Sequence, residues 1–173
     1  MFVDPSSILK QFGIAEGMHV GDIGAGSGHY TLALAQLLRT GKVYAIDVQR
    51  DLLERLKSEA RGRGYGNVEI VWANAEKPRG TKLVDHSLDA CIISNVLFQI
   101  EDKDAFIQEI KRIIKPGGKI LVVDWTDSFD GMGPKSTDVV TQGKAIELFT
   151  RYGFRKMGDV SAGAHHYGII LTS

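Results

Sequence analysis

Short, mostly apolar runs at 20–23, 43–47, 68–72, 88–94 and 120–123 are separated by stretches in which apolar side chains return every three or four positions. The runs have the length and composition of buried strands, and the longer spacing is that of helices packed by one face. Residues 30–39 are apolar on most faces, as suits a helix laid against a sheet. Leu52, Leu53, Leu56 and Ala60 mark the next helix. Phe106, Ile107, Ile110, Ile113 and Ile114 mark the inner face of another, which Pro116-Gly117-Gly118 stops. Ala145, Leu148, Phe149 and Tyr152 mark a last helix, which Gly153 ends. An opening helix covers 5–12, with Asp4 as its cap and Pro5 in its first turn.

Strands and helices alternating across short glycine-marked turns predict a parallel sheet covered by helices, an α/β fold. The run at 88–94 is nearly all apolar, which places it at the centre of that sheet. The stretches 154–160 and 167–171 are strands with no helix between them, so they must pair antiparallel. Residues 126–140, with Gly131, Gly133 and Pro134 among polar neighbours, have no such period. A loop of that length in a compact domain is expected to be a lid or a binding loop.

At 173 residues the chain suits one domain, 1–173, with one core. Lys and Arg together number 21, as do Asp and Glu, so the formal net charge is zero. Nothing in that balance attracts a polyanion, which argues against a dedicated nucleic-acid binder. The single cysteine, Cys91, lies within an apolar run, so neither a disulfide framework nor a thiolate metal site is expected, and a reducing compartment fits best. Five histidines without metal-site spacing point to no metal. With no basic-then-apolar leader and no apolar stretch near the roughly 20 residues of a bilayer span, the expected place is the cytoplasm.

Candidate chemistry starts at Gly24, Gly26 and Gly28, which sit between a strand ending in Asp22-Ile23 and a helix beginning near Tyr30. Residues without a Cβ let the main chain approach a ligand closely, and a strand-to-helix turn aims amide N–H groups above the sheet edge. Asp47 ends the second strand, where a carboxylate can accept both hydroxyls of a ribose. A nicotinamide-binding turn places its third glycine three positions after the second; here the interval is two, and a final hairpin does not suit that fold. Ligands of open α/β sheets lie outside the carboxyl ends of the parallel strands, and an antiparallel last strand begins at the same edge. Asp124, Trp125, His165, His166 and Tyr167 are therefore expected to converge there, beneath a loop at 127–135. His166 is the expected proton acceptor, helped by Asp124. His29 is expected to start a helix, and His19 and His86 to face solvent.

Four features resemble the class I S-adenosylmethionine-dependent methyltransferases, over nearly the whole chain: Val20-Gly21-Asp22-Ile23-Gly24-Ala25-Gly26-Ser27-Gly28; Tyr44-Ala45-Ile46-Asp47; Asn74-Ala75-Glu76; and residues 113–120 leading into the fifth strand, together with the closing hairpin. The resemblance implies a Rossmann-like seven-stranded sheet in the order 3-2-1-4-5-7-6 with the last strand antiparallel. It also implies S-adenosylmethionine as cofactor and S-adenosylhomocysteine as product. By the same resemblance Asp47 binds the ribose hydroxyls, Val48 lies under the adenine and Ala75 beside it. Gly24, Gly26 and Gly28 shape the methionine end. Asp22 orders that turn or reaches the amino group through water, and Asn95 meets the methionine moiety and the methyl group. Asn74 departs from the aspartate common at its position, and an amide oxygen is the weaker partner for the adenine amine. Asn95-Val96-Leu97-Phe98 lacks the prolines of relatives that methylate bases or glutamine amides, which points to the branch acting on small molecules, with a type 11-like pattern. RNA or protein methylation, and a cofactor-binding scaffold without activity, are the alternatives. With almost no added substrate domain, either the acceptor is small or a partner completes the site, a homodimer being one such arrangement.

Overall fold

The computed structural model describes residues 3–129 and 131–173; position 130, inside the loop expected at 126–140, lies outside them. In chain order the elements are α1 (Pro5–Phe12), β1 (His19–Ile23), α2 (His29–Leu37), β2 (Lys42–Asp47), α3 (Arg50–Gly62), β3 (Val68–Trp72) and β4 (Leu88–Ser94). A 3-10 turn, Leu97–Gln99, then precedes α4 (Lys103–Ile113), β5 (Ile114–Trp125), α5 (Gln142–Thr150), β6 (Arg155–Val160) and β7 (His166–Thr172). Asp4 caps α1 by accepting the Ser7 N–H, with Pro5 in the first turn, as the sequence implies. Asp102 and Thr141 cap α4 and α5 in the same way.

The strands form one sheet in the order β3-β2-β1-β4-β5-β7-β6. Neighbours from β3 to β5 run parallel, and β7 is antiparallel to both β5 and β6. Side chains of successive strand residues point to opposite faces, and each face is sealed by its own helices. Ile23, Ile93, Val122 and Ile169 pack with Phe106, Ile110 and Phe149 of α4 and α5. Val20, Ile92, Leu121 and Val123 pack on the other face with Ile8 and Leu9 of α1, Leu34 of α2 and Leu38 just after it. Leu53, Leu56 and Ala60 of α3 cover Ala45 beside them. Burial of most of β1 and β4 on both faces explains why their runs lack polar alternation.

One boundary differs from expectation. Ile114 is the first residue of β5, not the last of α4, and Pro116-Gly117-Gly118 lies inside that strand as a bend. Proline disfavours helix in the residue before it, so α4 ends at Ile113, but extended backbone remains open to 114–118. The pairing of β4 with β5 shifts register between Leu88 and Ala90 to absorb the bend, and Gly117 takes a φ of 75° within it. Among the described residues no helix is long and apolar enough to cross a membrane.

Candidate functional site

A cleft of about 740 Å³ opens at the carboxyl ends of β1, β2 and β4, where the strand order reverses from β1 toward β2 on one side and β4 on the other. That is the place where open α/β sheets bind ligands. The turn after β1 forms its floor. The Gly24 and Ala25 N–H groups donate to the Ile46 carbonyl at 2.8 and 3.0 Å. The Gly26 N–H donates to Asp47 Oδ2 at 2.8 Å, and the Gln49 N–H to Asp47 Oδ1 at 2.8 Å. Asp47 is only 8% exposed. A carboxylate offers about four lone-pair positions; these two bonds use two of them, and the residue lines the cleft.

The three glycines have different reasons. Gly24 has φ 77° and no room for a Cβ, which would lie 2.4 Å from Val96 Cγ2. Gly28 has φ 85°, and a Cβ there would lie 2.1 Å from Leu56 Cδ1. It starts α2 by packing on α3 and does not line the cleft. Gly26 also has positive φ, 53°, but the nearest atom to a Cβ is the Gly24 oxygen at 4.0 Å. A side chain there would project into cleft space, so the main chain at Gly26 is a cradle left bare on the ligand side.

Asp22 is 2% exposed and accepts the Thr31 hydroxyl at 2.6 Å. Burial pushes its pKa up to about 6, against the stabilising effect of Thr31. Val48 is 57% exposed on the cleft rim, an apolar side chain placed in the open beyond Asp47. Ala75 lines the same end, beside Asn74, whose Oδ1 accepts the Glu76 N–H at 2.8 Å and so folds its own turn. Trp72 Nε1 donates to the Val48 carbonyl at 3.0 Å and holds that rim in place.

The other end is built around Asn95. Its φ of 56° is left-handed, a region where Asn is several-fold enriched. Its N–H donates to the Val123 carbonyl at 2.8 Å, and its carbonyl accepts from Gln99 Nε2 at 2.9 Å. Asn95 Oδ1 lies 2.9 Å from His166 Nε2. His166 lines the cleft at 9% exposure, its ring 4.2 Å from that of Trp125. Burial lowers its pKa, assisted by His165 and opposed by Asp127.

The expected partnership of His166 with Asp124 is not formed. Asp124 pairs in register with Tyr167, and Trp125 with His166, so strand alternation sends the two groups to opposite faces. Asp124 is buried outside the cleft and accepts the N–H groups of Leu97 and Trp125 at 2.9 and 2.8 Å. Burial pushes its pKa up to about 6. Tyr167 shares that face, its hydroxyl buried without a hydrogen-bond partner among the described residues. His165 lies outside the cleft, with Nδ1 3.1 Å from Asp127 Oδ1 and its ring stacked on Phe129 at 3.8 Å. Of the other histidines, His29 starts α2 at the rim, His86 is exposed, and His19 is half-buried.

The structure adds residues that the motifs did not single out. Gln99, Tyr30, Ser94 and Ala162 line the cleft, as do Val3, Pro5 and Ile8 at its α1 wall. Tyr30 is held by burial, with Ser94 as its partner and Asp22 and Asp4 nearby, and its pKa is pushed up to about 12. Pro5, Ile8, Tyr30 and Ser94 carried a sequence signal, and that signal was only for the helix or strand that holds them. Among the described residues no group of three or more His, Cys, Asp or Glu is placed to hold a metal ion.

Known proteins resemble the chain in sequence and in fold. A family model described as a methyltransferase domain matches residues 14–150. Over 133 residues the chain is 33% identical to the ubiquinone/menaquinone biosynthesis C-methyltransferase UbiE of Hahella chejuensis, covering 76% of this chain and 52% of that protein. The Escherichia coli (strain K12 / DH10B) protein of the same name is 34% identical over 116 residues, 66% of this chain and 45% of its own length. The chain thus spans about half the length of the curated relatives it matches. Among solved structures, a SAM-dependent methyltransferase from Aquifex aeolicus superposes with a TM-score of 0.88 at 29% identity, over 98% of this chain and 89% of the other. The [4+2]-cyclase SpnF has the same fold, with a TM-score of 0.83 at 15% identity over 97% and 78% of the two chains.

Proposed function

This chain belongs to the class I S-adenosylmethionine-dependent methyltransferases, and on that footing we propose that it binds S-adenosylmethionine in the cleft above β1, β2 and β4 and transfers the methyl group to a small molecule. The observation that carries the reading is Asp47: a carboxylate buried at a strand end, tied to the Gly26 and Gln49 amides, with lone pairs left for a ribose. The bare main chain at Gly26 fits the adjoining methionine end. Val48 and Ala75 take the faces of the adenine, and Asn74 its edge. Asp22 sits behind the turn, where a cation in the cleft favours its charged form.

A sulfonium methyl group arrives already activated, and it leaves with the S–C electron pair remaining on sulfur. The protein's part is to hold a nucleophile in line, about 3 to 3.5 Å from that carbon, and to exclude water. Asn95, Gln99 and His166 supply polar contacts at this end, between apolar walls from Ile8, Ile100 and Phe106. A cleft of about 740 Å³ lies within the usual range for small-molecule sites, and the cofactor takes much of it. That favours a small acceptor, as do the C-methyltransferase names of the curated relatives. Fold alone does not fix the reaction, since a cyclase shares it.

Calorimetry with S-adenosylmethionine, S-adenosylhomocysteine and NAD separates the readings. The first two are expected to bind one to one and NAD not at all; the reverse would end this proposal. Transfer of a labelled methyl group to a metabolite panel then distinguishes an enzyme from a scaffold.

A further inference from the structure

Two buried titratable side chains, Asp124 and His166, reach the same short turn from opposite faces of the sheet. Asp124 holds its main chain through the Leu97 N–H. His166 holds the side chain of Asn95. Resting on the methyltransferase reading, we propose that His166 is a positioning residue: its Nε2–H fixes the Asn95 carboxamide oxygen, and so turns the Asn95 amide N–H groups to the end of the cleft where the methyl group is transferred.

An amide oxygen only accepts hydrogen bonds, so the Nε2 that faces it at 2.9 Å carries the proton. That nitrogen cannot then take a proton from an acceptor. Burial favours the neutral ring that this arrangement needs. The imidazole is itself held. Trp125 lies against it at 4.2 Å, and Gly133 sits so close to Trp125 that a Cβ would come 2.6 Å from the indole. Asn95 is fixed at N–H, carbonyl and Oδ1 by Val123, Gln99 and His166. Its Nδ2 carries no hydrogen bond to the described residues, and the residue lines the cleft. With its main chain held at two points and its carboxamide at one, the side chain's donors need no rearrangement when the substrate arrives.

His166→Gln and His166→Ala test this against a base. Glutamine can offer Asn95 an N–H but takes no proton at neutral pH, whereas alanine offers neither. In ¹⁵N spectra of the free protein, and of the protein with S-adenosylhomocysteine, the His166 ring is expected as the Nε2–H tautomer. The Asn95 side-chain amide, assigned by its loss in Asn95→Asp, is expected to exchange slowly in the wild type and in His166→Gln and to average out in His166→Ala. On an acceptor found in the metabolite panel, His166→Ala is expected to lose roughly a hundredfold in kcat with little change in KM for S-adenosylmethionine, and His166→Gln to recover most of it. An Nδ1–H tautomer, an Asn95 signal indifferent to His166→Ala, or a glutamine variant as slow as the alanine one would overturn the proposal. Failure of the wild type to bind S-adenosylhomocysteine would remove the methyltransferase reading instead, while the tautomer and the Asn95 signal in the free protein still judge the positioning.

Discussion

Replacing Asp22 by asparagine is expected to reverse its effect on stability between pH 4 and pH 7.5. In the native protein this carboxylate is fully enclosed and its pKa stands at about 6, desolvation being the largest cause. In the unfolded chain it returns to about 3.9. A carboxylate raised on folding contributes its full stability below the unfolded value and loses it as pH rises through the folded one. Two units correspond to about 3 kcal/mol of penalty at pH 7.5. The Asp22→Asn protein would carry none of that penalty, and its new amide would keep an oxygen for the Thr31 hydroxyl, bonded at 2.6 Å in the native protein. It would lose the second, main-chain bond from Thr31 that the carboxylate receives, about 1 kcal/mol. The net is a gain of about 2 kcal/mol at pH 7.5, or roughly 4 to 8 °C in Tm for a domain of this size, and a loss of about 0.5 kcal/mol at pH 4, where the unfolded carboxyl is already half ionised. Thermal and urea unfolding of the cofactor-free proteins across that range measure it. A difference that does not move with pH, or an Asp22→Asn protein less stable at pH 7.5, would refute the reasoning. With S-adenosylmethionine present, the ranking should narrow, because the variant binds the cation less well.

Gly28→Ala forces a side chain into the left-handed region and against Leu56; a loss of about 3 kcal/mol in urea unfolding is expected. Glu109 is buried beneath the 79–85 segment, where its carboxylate accepts the Arg79 and Thr81 N–H groups and the Thr81 hydroxyl and pairs with Arg112. Burial alone would raise its pKa, but Arg112 and Thr81 together hold it below the usual value. Its stabilisation is therefore present at neutral pH and lost as pH falls through the lowered value, and Glu109→Ala should cost roughly 3 to 5 kcal/mol at pH 7, with the deficit shrinking in acid. Asp127→Ala removes the partner of His165. Because that pair is half open to solvent, the melting temperature should hold within a degree, while tryptic cleavage at Lys135 in the same loop quickens.

The sheet was readable because burial writes itself into the runs: a strand covered on both sides, such as β4, keeps its polar residues, Asp89 and Ser94, near its ends and has an unbroken apolar stretch between them. The strand order required more than periodicity, and it came from the resemblance carried by the glycine turn and the closing hairpin. The bend at Pro116-Gly117-Gly118 was misplaced because those residues signal a stop for a helix equally well whether a loop or a strand follows. At the site, Asp22, Gly24, Gly26, Asp47, Val48, Asn74, Ala75, Asn95 and His166 all line one cleft. Gly28 and Asp124 serve it from behind, through Leu56 and Leu97. That Asp124 and His166 face apart follows from register between β5 and β7, and a shift of one residue there would have joined them. Gln99 and the α1 wall were missed because their places depend on the 3-10 turn and on helix docking, which leave no period in the chain. Glu109 looked like a polar residue on a helix; only the fold of 79–85 over it makes it a buried hub.

Asp47 as the ribose ligand is the central claim, and calorimetry of S-adenosylmethionine with wild-type and Asp47→Ala protein tests it most directly. Two charge-assisted bonds to hydroxyls, at about 1.5 kcal/mol or more each, correspond to a Kd weakened at least roughly a hundredfold, in a variant shown to be folded by an unchanged far-ultraviolet spectrum and a cooperative melt. A folded Asp47→Ala protein that binds the cofactor as tightly as the wild type would contradict it.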